Sequence, residues 1–118
     1  MRTRGAEGTA LSLTVPARMQ AAYLGGLPED HDVAAGVALY QGRRPLAGAV
    51  LDRGLAALER IESAAEARES PGVMAHFRAA VAASLGRQAA WAPRRRPLHR
   101  FGLRRKAARW TTEARHDA

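Results

Sequence analysis

The chain has 118 residues, no cysteine and a formal net charge of +8. That length holds one domain and a tail. The missing cysteines exclude disulfides, thiolate metal sites and cysteine catalysis, and no uncharged apolar run approaches the roughly 18 residues of a membrane span.

Leu, Ile, Val and Phe together number 21, while Ala supplies 27 residues. That is below the roughly 20% of large apolar residues at which a charged chain begins to look disordered. Alanine favours helices and close helix contacts, but each one buries little area. The composition therefore predicts a mainly all-α protein with a thin core, stabilised further by self-association or by a partner. Arg2 and Arg4 ahead of residues 10–15 imitate a signal peptide, but the apolar part is short and Pro16 interrupts it. The chain is read as cytoplasmic.

Residues 1–8 carry two Gly and two Arg without any period and read as a flexible arm. A small helical domain is expected over 9–90. Leu11, Leu13 and Val15 alternate with Ser12 and Thr14, which suggests a short strand or an extended lead-in to a helix. Thr14 and Pro16 suit a helix start, and Gly25-Gly26 stops that helix. Asp30 or Asp32 can cap a second helix with Val33, Val37 and Tyr40 as its stripe, ended by Gly42.

Pro45 opens the longest helical pattern, about 45–69. Leu51, Leu55, Leu58, Ile61 and Ala65 form one apolar face, and charged residues surround the rest. Gly48 and Gly54 each cost roughly 1 kcal/mol against Ala, a cost that close approach by another helix would explain. Ser70 and Pro71 provide a cap and a first helical residue. Val73, Phe77, Ala80, Val81, Ser84 and Leu85 then mark a helix over 71–90. The short connection predicts that 45–69 and 71–90 form an antiparallel pair.

Residues 91–118 are expected to be a basic arm, partly disordered when free. Pro93 and Pro97 bracket Arg94, Arg95 and Arg96 and forbid a continuous helix. Leu103, Ala107 and Trp110 share a face on a segment too short to persist as an isolated helix, so it is expected to form on binding, with 111–118 frayed. Residues 71–118 carry eleven Arg or Lys against two acids, whereas 29–70 carry five Arg against eight acids. Such asymmetry points to a polyanionic partner.

The candidate nucleic-acid contacts are Arg94, Arg95, Arg96, Arg100, Arg104, Arg105, Lys106 and Arg109, for phosphates. Phe101 and Trp110, with Trp91 beside them, are the candidates for stacking on bases. Phosphate contacts position rather than specify, so little sequence preference is expected. The competing expectation is that these cations are solvated or neutralise Glu59, Glu62, Glu66 and Glu69 on the body. A membrane role is disfavoured because the 103–110 face offers one Leu and one Trp for insertion.

Residues 9–19, TALSLTVPARM, resemble the opening of ribbon-helix-helix DNA-binding proteins, where an alternating strand runs straight into a helix. The resemblance covers 9–41 at most. It implies a dimer whose paired strands lie in the major groove, with Ala10, Ser12 and Thr14 facing the bases. The chain departs from that pattern. Ala10 and Ser12 offer little to base edges, Glu29, Asp30 and Asp32 stand where a phosphate would approach, and the helix at 45–69 has no place in the minimal fold.

Catalytic, cofactor and metal sites are not expected. Glu29-Asp30-His31-Asp32 lacks the glycine and spaced acids of a calcium loop. Neither a Ser–His–Asp arrangement nor a Gly-rich phosphate loop can be assembled. The sequence thus points to a small basic nucleic-acid-binding or accessory protein, DNA or RNA unresolved, rather than an enzyme. The alternatives are a helical adaptor or chaperone-like protein docking on an acidic protein partner through its 73–85 stripe and, more weakly, a ribbon-helix-helix regulator.

Overall fold

A computed structural model of the chain describes residues 31–117, and side chains for 34–116. Among these residues every regular element is an α-helix: α1 (His31–Gln41), α2 (Gly48–Glu66), α3 (Pro71–Trp91) and α4 (Pro97–Asp117). The expected strand, the helix after Pro16, the 1–8 arm and the ribbon-helix-helix resemblance up to residue 30 lie outside the described residues.

Gly42 ends α1 as its sequence suggests. Its φ of +55° is a left-handed conformation that suits glycine, and its N–H donates to Ala38 O at 3.0 Å. Helix α2 begins three residues after Pro45. The side chain of Gln88 grips the chain on both sides of that proline, donating to Arg44 O at 2.9 Å and accepting from Leu46 N–H at 3.0 Å, which holds the segment out of the helix. Ser70 caps α3 by accepting from Val73 N–H at 3.2 Å, with Pro71 at the first helical position.

Successive helices reverse direction. The Gln88 contacts and the Arg78–Glu62 ion pair tie α2 and α3 together at opposite ends, so the two run antiparallel. Their most extensive neighbours lie elsewhere: α2 packs along α1, and α3 along α4. At Gly54 of α2 an added Cβ would come within 2.5 Å of Ala35 O, which fits the expected close approach. Gly48 has open space instead.

The core joins Leu39 and Tyr40 of α1, Leu51, Leu55, Leu58 and Ile61 of α2, Met74, Phe77, Val81 and Leu85 of α3, and Leu103 and Trp110 of α4. Phe77 lies at its centre. Tyr40 stacks on it at 5.8 Å, and Trp110 meets it edge-on at 6.0 Å. On α3 the expected stripe is buried at Phe77, Val81, Ser84 and Leu85, with Ala80 packed against the core; its first position differs, Met74 being buried and Val73 exposed.

Residues 97–117, expected to be part of a basic arm, pack against the body. Residues 97–117 form a helix as long as α3, helical through the 111–117 stretch expected to fray. The physical reason is burial. Leu103, Trp110 and Ala114 recur at seven- and four-residue spacing and enter the core together. Tertiary packing thereby stabilises a segment that would be marginal in isolation.

Candidate nucleic-acid interface

Three of the ten predicted contacts serve the fold. Trp110 has no exposed surface, so its ring cannot receive a base. Arg109 stacks on that indole, its Cζ 4.5 Å from the ring centroid. Its guanidinium lies 3.4 Å from Glu62 and 3.2 Å from Glu113, with Glu59 at 3.9 Å. Arg100 is directed at the last turn of α3, where Nε donates to Ala89 O at 3.2 Å and Nη2 reaches Ala90 O and Ala92 O at 3.4 Å. A cation among the last carbonyls of a helix also meets the negative end of its dipole. Sequence spacing carries no signal that separates these two arginines from their neighbours.

Glu62 belongs to a charge network inside the protein. Arg78, itself buried, donates Nε to Glu62 at 2.8 Å and Nη2 to Glu66 at 3.1 Å. Because Glu62 also meets Arg109, one carboxylate links α2, α3 and α4. Among the described residues, the expectation that basic residues neutralise the body's own acids therefore holds for Arg109 alone of the candidate cations.

The other seven candidates remain at the surface. Arg94, Arg95, Arg96, Phe101, Arg104, Arg105 and Lys106 are all exposed. The side chains of Arg94, Arg95, Arg96, Arg104 and Lys106 make no hydrogen bond or ion pair with a described residue, while Arg105 lies over Phe101, 5.9 Å from its ring centroid. The connection at 92–96 exists because Pro93 and Pro97 interrupt the helix. A turn closed by Arg96 N–H on Pro93 O at 3.0 Å then presents the three arginines.

Exposed apolar groups lie among these cations. Trp91 is 41% exposed, Leu98 85% and Phe101 59%. On α4, Leu98, Phe101 and Arg105 follow one another at spacings of three and four, so they share the solvent-facing side. Arg104 lies beside them, and Lys106 lies on the flank.

Sequence reasoning missed Arg43 and Arg44. Both are exposed, in the connection from α1 to α2, and their side chains have no partner among the described residues. That connection is fastened to the C-terminal part of α3: Arg87 Nε donates to Gly42 O at 2.9 Å, and Gln88 holds Arg44 and Leu46. A cleft lined by Gly48 and Asp52 on one side and Arg95, Arg96, Leu98 and His99 on the other sets the first turns of α2 beside the 92–96 connection and the start of α4. Asp52 lines the same cleft as Arg95 and Arg96 and forms no ion pair with them. One end of the helical body thus gathers cations from two loops more than forty residues apart. The signal lay in the dipeptide Arg43-Arg44, but only the fold brings it to the others.

Among the described residues no three metal-ligating side chains gather, and no helix is long and apolar enough to cross a membrane. No protein-family model matches the chain, and no match is found among curated proteins or solved structures.

Proposed function

We propose that this protein binds nucleic acid, DNA or RNA, and acts as a small cytoplasmic accessory protein through binding rather than catalysis. The supporting observation is the cationic end itself. Arg94, Arg95, Arg96, Arg104, Arg105 and Lys106 stay exposed and, among the described residues, free of carboxylates, even though Arg78 and Arg109 show that the fold can satisfy cations internally when it needs to. Surface arginines without a carboxylate partner among the described residues are suited to bidentate phosphate contact. Such contacts fix register on a backbone and carry little sequence information.

A helical adaptor docking on an acidic protein would have used the 73–85 stripe, but Phe77, Val81 and Leu85 lie in the core. Replacing the six cations by Gln tests the proposal. Affinity for unrelated sequences should fall together, with the helical signal and melting temperature preserved. Undiminished binding would overturn the assignment.

A further inference from the structure

We infer that the cationic end takes an unpaired strand, with a base stacked on Phe101 and the phosphates that flank it held by Arg104, Arg105 and the arginines of the 92–96 connection. This inference rests on the nucleic-acid reading and narrows it. A duplex keeps its base faces inside its own stack, so it offers exposed aromatic rings nothing they can use. A single strand presents a π-face at every base, and pairing aromatic platforms with a cationic track is the general solution for binding it.

The site has both parts in register. Phe101 is open to solvent on the outer side of α4, with Arg104 and Arg105 three and four residues later along the helix, and Arg105 lies 5.9 Å from the ring centroid. Phosphates on either side of a stacked base would therefore meet a guanidinium. Arg100 makes the arrangement rigid. By holding the carbonyls of Ala89, Ala90 and Ala92 it fixes the end of α3, and hence exposed Trp91, beside the start of α4. Trp91 supplies a second ring on the same end of the body, with Arg94, Arg95 and Arg96 following it in the chain.

An anionic membrane would also meet cations and aromatic rings. Here the exposed apolar side chains are few and are separated by arginines along the chain, which leaves little to insert. The charge is better matched to a strand that threads between the rings.

The test uses the full chain and fluorescence anisotropy with a labelled oligothymidylate, a fully paired two-strand duplex without a loop, and vesicles containing phosphatidylserine. Phe101→Ala should weaken single-strand binding about tenfold or more and leave duplex binding within a factor of about two. Its melting temperature should match the wild type, since Phe101 lies outside the core. Trp91 fluorescence should be quenched by the oligothymidylate in a Trp110→Phe background. If duplex and single strand bind alike and Phe101→Ala changes neither, the unpaired-strand inference is wrong and the broader nucleic-acid reading stands. If neither nucleic acid binds, whether or not vesicles do, both are wrong.

Discussion

Trp110 meets Phe77 edge-on, with ring centroids 6.0 Å apart and planes at 70°. This contact makes the basic C-terminal segment part of the folded body. Trp110→Ala removes the largest fully buried side chain and is expected to cost about 3–5 kcal/mol. Trp91→Ala, at a ring that is 41% exposed, should cost far less. Urea denaturation of the two variants checks the contrast. Equal losses would place 97–117 outside the core.

The Glu62–Arg78 pair predicts strong coupling. Removing the carboxylate takes from buried Arg78 its 2.8 Å partner, and Glu66, which stays, is more exposed. Glu62→Ala should therefore destabilise by about 3 kcal/mol, at the lower end of the range for broken buried pairs. The double variant Glu62→Leu with Arg78→Met should recover most of that loss, because no uncompensated charge remains. A double-mutant cycle measures the coupling.

The helix glycines should respond with opposite signs. Gly54→Ala drives a Cβ into the backbone of α1 at Ala35, so it must push the two helices apart and destabilise. Gly86 lies within α3 with nothing within 4 Å of an added Cβ. Gly86→Ala should gain about 0.5–1 kcal/mol from backbone entropy and helix propensity. Thermal melts of both variants decide it.

Burial raises the pKa of the Tyr40 hydroxyl above its ordinary value of 10.0. The folded state then holds that proton more tightly than the unfolded state. The resulting stability is complete below about pH 10 and declines as pH rises from there through the folded-state pKa. The melting temperature of the wild type should fall over that alkaline range, and Tyr40→Phe should show a shallower fall. Parallel curves would mean that Tyr40 does not contribute.

Much of the helical body was legible in local patterns. Ser70-Pro71 announced the start of α3, Gly42 the end of α1, and the Leu51–Ala65 face the buried side of α2. What could not be read was the use of individual cations. Arg100 and Arg104 are the same residue four positions apart on one helix. One faces the end of α3 and holds its carbonyls, while the other faces solvent. Trp110 was misassigned for a related reason. An aromatic within a basic run fits a stacking role as well as an anchoring one, and only its alignment with Leu103 against Phe77 decides between them. The site also includes Arg43 and Arg44, which nothing in the linear chain connects to residues 94–96. That juxtaposition depends on Gln88 and Arg87 holding the 42–46 segment.

The measurement closest to the central claim is the salt dependence of single-strand binding by the full-length chain. If six to eight of the exposed cations meet phosphates, log K should fall against log salt with a slope of about −4 to −6. Replacing Arg94, Arg95, Arg96, Arg104, Arg105 and Lys106 by Gln should reduce it to between zero and about −1.4, the upper figure being what Arg43 and Arg44 would still supply. A wild-type slope near zero, or one that the six substitutions leave unchanged, would contradict the account.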